Sequence, residues 1–310
     1  MNDHIDRRAF VKRCIATAAG AIAATSASKA FFGNEPPADH QLCTVVGDAY
    51  FDNTIRAVEA LGGMRAFVQR GSTVGLLINS PFGSQGTYAN PDIALAVVKM
   101  CLDAGAKQIV ALNDIGRRYW QRSALHRKMQ SEVGLIRYAD EMTEVKIEKG
   151  KSLKEADISN ALLSCDAFVN IPIIKDHAGT RFTGNLKNMM GACSSSTCRY
   201  FHYGGSVLNI FKGGYQNPEL LAQCIADVSL VRRPNLCVVD ATEILATNGP
   251  SGPGEIKKPR EVIASTNCLA ADMYAVRHLG LNWEELPVIR FAQQHGYGPR
   301  SLREVKIQAF

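Results

Sequence analysis

Short runs of aliphatic and β-branched residues alternate with stretches of helical periodicity along most of the chain, and few folds accept that alternation. The runs are Cys43–Val46, Thr73–Ile78, Gln108–Leu112, Glu144–Ile147, Ala167–Ile171, Leu236–Asp240, Glu261–Ser265 and Val305–Gln308. Read as strands, with helices between them, they predict an α/β fold: a mostly parallel sheet flanked by helices. The plainest helix is Pro91–Asp103. Asn90 stands at its cap, Pro91 fits the first turn, and Gly105 can close it. Its residues Ile93, Leu95, Ala96, Val97, Met100 and Cys101 form a face to bury. Arg117–Val133, Pro218–Val228 and Cys268–His278 are expected as further helices. No repeat and no low-complexity linker divides residues 41–310, so they are expected to form one domain with loop excursions, the polar stretch Glu148–Asp157 being one.

The first forty residues have a different character. Arg7-Arg8-Ala9-Phe10-Val11-Lys12 is followed by Cys14–Ala24, an Ala-rich run of eleven residues. That run is too short to cross about 30 Å of hydrocarbon as a permanent helix. The segment resembles a twin-arginine export signal. The resemblance implies a signal peptide over residues 1–30, a linker over 31–40, cleavage after Ala27 or Ala30, and the twin-arginine translocase as a partner. Release into the periplasm without a permanent membrane span is the expected outcome. Such signals carry proteins that cross already folded, as proteins loaded with a cofactor must. Cys14 lacks the preceding small residues of a lipoprotein.

Charge narrows the function further. Half of the formal net charge of +6 lies in residues 1–30, which hold five basic and two acidic residues. A balance that small, with no basic run in the body, disfavours nucleic acid as a partner. Eight of nine cysteines follow the signal segment, most of them inside apolar runs such as Asn235–Val239, where a thiol packs as a small core residue. Cys193 and Cys198 alone are close in sequence, and a structural or free role is expected for them before a metal site. No motif names a cofactor. The sequence has no phosphate-binding P-loop, no nucleophile elbow, no zinc helix, no Rossmann dinucleotide fingerprint and no ferredoxin-type iron–sulfur spacing.

Chemistry concentrates in Asp166–Gly191, D-A-F-V-N-I-P-I-I-K-D-H-A-G-T-R-F-T-G-N-L-K-N-M-M-G. An apolar strand runs into Pro172 and is followed at once by Lys175, Asp176 and His177. Two positions apart on extended chain, Lys175 and His177 face one side, at the carboxyl end of a strand, where open α/β sheets bind ligands. Lys187 and Asn188 follow near an expected helix start, a favourable place for an anion, with Gly191 expected to close that helix in a left-handed conformation. Two amines and an imidazole converging in this way predict a small anionic ligand. His202 lies in an aromatic stretch expected to be a loop over a pocket or a packing element. Asp240 ends a strand as a site carboxylate or a loop anchor, and Asp272 lies in a helix where it could face the same crevice or cap a neighbouring loop. His278 is expected on the surface, and the role of His295 stays open.

Asn170-Ile171-Pro172-Ile173-Ile174-Lys175-Asp176-His177, followed by Leu186-Lys187-Asn188-Met189-Met190-Gly191, resembles the signature of the domain of unknown function 362 family. His202, Asp240, Asn248-Gly249-Pro250 and Asp272 are similar to later family positions. The resemblance spans about residues 43–308. It implies an α/β fold and a ligand site that includes Gly249, without supplying an activity. The chain departs from the family twice. Ile78-Asn79-Ser80-Pro81-Phe82 stands where relatives carry Lys-Pro-Asn, and the cysteine-rich ferredoxin-like insert of many relatives is missing.

Two functional readings follow. In the first, the protein is an enzyme acting on a small anion, with His177 as acid or base and Lys175 and Lys187 stabilising negative charge. In the second, it is a non-catalytic periplasmic carrier or redox accessory that holds a cofactor, or a metal through His177, His202 and Asp240.

Overall fold

A computed structural model of the protein describes residues 40–204 and 217–310. The signal-peptide and linker expectations fall outside the described residues. Twelve strands are present among these: β1 (His40–Val46), β2 (Thr73–Ile78), β3 (Gln108–Ala111), β4 (Ile136–Tyr138), β5 (Met142–Lys146), β6 (Glu155–Ser159), β7 (Ala167–Ile171), β8 (Leu236–Ala241), β9 (Ile244–Leu245), β10 (Ile256–Lys257), β11 (Glu261–Ser265) and β12 (Val305–Ala309). Eight of them form one sheet in the order β12-β1-β11-β8-β7-β2-β3-β4. Only β11 runs against its neighbours, so the sheet is mostly parallel, as expected of α/β alternation.

Two cores lie on the two faces, and strand alternation assigns residues to each. One face carries Val74, Leu76, Ile78, Val169, Ile171 and Val238 against helices α1 (Tyr50–Glu59) and α2 (Pro91–Asp103). The other carries Leu77, Phe168, Cys237 and Val239 against later helices that include α8 (Pro218–Val228), α9 (Cys268–Ala275) and α10 (Pro287–Gln294). α2 forms for the reasons its sequence gives. The Asn90 side chain accepts from Asp92 N, Pro91 occupies the first turn, and Gly105 follows the end with φ of 90°. All described residues belong to one compact unit.

Several expectations are corrected. Arg117–Val133 is broken into α3 (Arg117–Trp120), a 3-10 turn (Ala124–Arg127) and α4 (Gln130–Gly134). The break sits at Ser123, whose hydroxyl caps Leu125 N and also bonds the Asp92 carboxylate, pulling the chain onto α2. The stretch Glu148–Asp157 is more than a surface excursion. It turns β5 into β6, after which the short helix α5 (Asn160–Ser164) leads to β7, and it buries Leu153 and Ala156. The aromatic stretch at His202 is helical, part of α7 (Ser195–Tyr203), capped by Ser194 on Thr197 N and closed by Gly204 with φ of 63°. Gly191 is not a left-handed cap. It lies within the 3-10 turn Met189–Ala192 that follows α6 (Asn185–Asn188), and a side chain there would meet Leu77.

Candidate functional site

β2 continues toward β3 on one side of the sheet, whereas β7 continues toward β8 on the other. The chain therefore parts between β2 and β7, and crevices beyond the carboxyl ends of such neighbours are where open α/β sheets bind ligands. Asn79 follows β2 there, and the Lys175–His177 segment follows β7.

Pro172 ends the regular strand without ending the pairing. Its carbonyl accepts from Asp240 N at 2.9 Å, and Ile174 N donates to Asp240 O at 2.9 Å. Lys175 then pairs with Thr183 in a single antiparallel bridge. The Lys175–Thr183 turn is pinned from outside by the loop at Gly249. Asp176 N donates to Leu245 O, Gly249 N donates to Asp176 Oδ2 at 2.8 Å, and a Cβ on Gly249 would lie 1.8 Å from Asp176 O. Gly249 thus serves by letting two backbones touch.

Lys175 is 1% exposed. Its Nζ donates to Thr87 O at 2.6 Å and to Asn79 Oδ1 at 3.5 Å, and it stands 4.6 Å from the centre of the Phe82 ring. Burial, with the Lys187 charge added, lowers its pKa to about 7. Burial also lowers Lys187 to about 8; its Nζ contacts Met190 Sδ at 3.7 Å. His177 is buried, and its Nδ1 accepts from both Gly179 N (3.0 Å) and Thr180 N (3.3 Å). An imidazole whose Nδ1 accepts carries its hydrogen on Nε2. Burial, then Lys187, His202 and Lys175, hold its pKa at about 2. His202, half-buried on α7, places Nδ1 2.7 Å from Cys198 O, and burial lowers its pKa. Four basic side chains therefore act on one another, and among the described residues no carboxylate forms an ion pair with Lys175 or Lys187.

Beneath Lys175 runs a row of asparagines. Asn79 Nδ2 donates to Asn188 Oδ1 (2.9 Å), Asn188 Nδ2 to Asn170 Oδ1 (2.7 Å), Asn170 Nδ2 to Asn185 Oδ1 (3.3 Å), and Asn185 Nδ2 to Asp272 Oδ1 (2.9 Å). Asn188 Nδ2 also donates to Leu77 O, and Asn170 Nδ2 to Asn185 O, which fixes the sense of those amides. The row joins a buried cation to a buried carboxylate.

The structure therefore brings Lys175, His177, Lys187 and His202 together, with Asn188 in the row below. Asp240 is not among them. Its carboxylate lies on the α2 face, accepting from Asn90 N (2.6 Å), Thr242 N (2.8 Å) and Thr242 Oγ1 (2.6 Å), and burial raises its pKa to about 6. It is a loop anchor. Asp272 caps α6, accepting Asn185 N at 2.7 Å and Leu186 N at 3.0 Å, and burial raises it too to about 6. That carboxylate occupies the helix start expected to receive an anion. His177, His202 and Asp240 do not converge as metal ligands, and no group of three His, Cys, Asp or Glu suited to a metal occurs among the described residues. His278 is no free surface residue, since its Nε2 lies 2.5 Å from buried Glu261. His295 pairs with Asp227 at 2.7 Å, where Asp227 also accepts N–H from Lys151, Ser152 and Leu153. The eight described cysteines are free thiols. Cys193 donates to Met189 O and Cys198 to Met190 O.

Sequence reasoning missed Asn79, Phe82, Thr87 and Asn170 as parts of the site, whereas Asn185 was read with Lys187 and Asn188 near the helix start. Asn79 and Phe82 were noticed only as a departure from the family, although they supply the acceptor and the ring that replace a cation there.

The model of a domain of unknown function, DUF362, matches residues 75–277. A thylakoid-associated protein of Synechocystis sp. is 23% identical over 254 residues, 78% of this chain and 74% of that protein. Among solved structures, a Thermotoga maritima protein aligns with a TM-score of 0.41 at 14% identity, covering 80% of this chain and 60% of that one. The lactate racemase apoprotein from Thermoanaerobacterium thermosaccharolyticum aligns with a TM-score of 0.40 at 14% identity, covering 64% and 50%. This chain thus spans less than two thirds of either solved protein. No helix among the described residues is long and apolar enough to cross a membrane. With the family model matching well over half of its length, the chain belongs to the DUF362 family.

Proposed function

We propose that this protein is exported and binds a small oxyanion, a carboxylate or a phosphate, at Lys175, His177, Lys187 and His202, and that it moves a proton on that ligand. One observation carries the reading: buried Lys175 and half-buried Lys187 stand together with no carboxylate ion-paired to either among the described residues, an arrangement that costs stability until an anion supplies the missing charge. The roles differ from the sequence expectation. His177, neutral with its hydrogen on Nε2, suits a hydrogen-bond donor to developing negative charge rather than an acid or base at neutral pH. Lys175, with a pKa of about 7, suits proton transfer.

The test is thermal melting and calorimetric binding with acetate, malonate and inorganic phosphate, each against chloride at equal ionic strength. One of these anions should raise the melting temperature of the parent protein. Lys187→Met should melt no lower than the parent when empty and respond less to that anion. Equal response to every anion and to chloride would refute the reading.

A further inference from the structure

Thr183 lies opposite Lys175 in the antiparallel bridge beyond β7. The residue is 2% exposed, and its Oγ1 is buried with no hydrogen-bond partner among the described residues. Buried hydroxyls are rarely left in that state, because an unmet hydroxyl forfeits its bonds to water and gains nothing in return. Thr183 is also the bridge partner of Lys175, and its N–H donates to Lys175 O at 2.9 Å. Residues paired across an antiparallel bridge project their side chains to the same side. The orphaned hydroxyl and the Lys175 side chain therefore leave the backbone together, at the carboxyl end of β7.

The neighbours have already settled their own polar groups. Thr180 Oγ1 donates to Phe182 O, the backbone N–H of Thr183 is taken by Lys175 O, and Asp272 holds the amides of Asn185 and Leu186. Among the described residues from Lys175 to Leu186, Thr183 Oγ1 is the one buried side-chain nitrogen or oxygen left without a hydrogen-bond partner. Its surroundings are cationic: Lys187 acts on Lys175, and both act on His177. An acceptor-only group answers both features, taking the hydroxyl hydrogen and supplying negative charge to the amines.

We infer that Thr183 is a ligand-binding residue whose Oγ1–H donates to an oxygen of the bound oxyanion on the Lys175 side of the cluster. This rests on the oxyanion reading above and adds a contact that discriminates among ligands. A ligand end bearing only N–H donors has no lone pair for the hydroxyl and, if cationic, is repelled by the amines. An oxyanion satisfies the hydroxyl and the amines at once.

Thr183→Val keeps the shape and deletes the hydroxyl; Thr183→Ser keeps the hydroxyl. Melting of each full-length protein without ligand, and calorimetric titration with acetate and with inorganic phosphate, form the experiment. The expected result is that Thr183→Val melts at or above the parent when empty, because an unsatisfied hydroxyl is gone. Its affinity for whichever probe binds the parent should fall about tenfold, the loss of one hydrogen bond to a charged partner. Thr183→Ser should stay within about threefold of the parent. A preference for acetate or phosphate identifies the oxyanion as a carboxylate or a phosphate. Parent-like affinity in Thr183→Val, while Lys187→Met loses binding, would overturn the Thr183 contact and leave the oxyanion site standing. Failure of acetate, malonate and inorganic phosphate alike to bind the parent would overturn both.

Discussion

Lys175, buried, and Lys187, half-buried, make the stability of this protein depend on pH in an unusual direction. Lys175 releases its proton near pH 7 in the folded protein, whereas an unfolded lysine holds it to about 10.5. Between those values the unfolded chain binds more protons, so folding stability rises as pH rises. From about pH 7 to about pH 8.5 the linkage relation gives about 2 kcal/mol from Lys175, and about 1 kcal/mol from Lys187 with its pKa of about 8. Asp240 and Asp272, with pKa values of about 6, are almost fully ionised by pH 7, and His177 adds little above the ordinary histidine value of 6.5; the thiols raised from 9.0 oppose the rise by about 1 kcal/mol across this window, in the parent and in a Lys175 variant alike. Urea unfolding at several pH values across this window, for the parent and for Lys175→Met, measures the effect. Methionine leaves Thr87 O and Asn79 Oδ1 without their donor, so its absolute stability is not the readout; the slope is. Lys175→Met should lose about 2 kcal/mol of the rise. Parallel slopes in the two proteins would show that Lys175 stays charged throughout, and the assignment of proton transfer to it would fall.

Other outcomes are as specific. Asp272→Asn turns an oxygen that receives backbone hydrogen into an amide that offers its own, and should lower unfolding free energy by about 2–3 kcal/mol in urea; a loss under 1 kcal/mol would mean the α6 cap is dispensable. Gly249→Ala forces the Gly249 and Asp176 backbones apart and should both lower the melting temperature and weaken anion binding, and an unchanged melt would contradict the close approach. Arg7→Lys with Arg8→Lys should leave the precursor in the cytoplasm, since twin-arginine export reads the guanidinium pair; fractionation showing processed periplasmic protein would refute export by this route.

The main sheet was legible because its strands are apolar runs between helical stretches, and seven of its eight strands lie where those runs are. β4 escaped notice: Ile136-Arg137-Tyr138 is three residues at a sheet edge, too short for any period to register. Arg117–Val133 misled because periodicity is a local signal, and the Ser123–Asp92 bond that breaks the helix spans 31 residues. At the site, Lys175, His177 and Lys187 stood out through their spacing after a buried strand. Asn188 stood out with them, but Asn79 did not, since it lies 109 residues from Asn188 and an amide gives no sign in sequence of whether it faces water or another amide. Asp240 and Asp272 show the same limit from the other side. Both are strand- or helix-borne acids near the right edge, and only the donors around them reveal that backbone amides have claimed them.

The asparagine row has a directional consequence. Every amide in it hands a hydrogen onward in the same sense, from Lys175 toward Asp272. None can turn over alone, since reversal at one position sets two oxygens, or two NH₂ groups, face to face with their neighbours. The four side chains therefore behave as one polarised strut whose orientation is dictated by what stands at its ends. Amides do not ionise, so acid or alkali within the ordinary range reaches the strut only through Lys175 and Asp272. Replacement obeys the same logic: aspartate cannot donate, leucine can do neither, and glutamine is one carbon too long to keep step. A single replacement therefore breaks the row, and a lesion at Asp272, at its far end, will be felt as a change in how Asn79 meets the lysine above it.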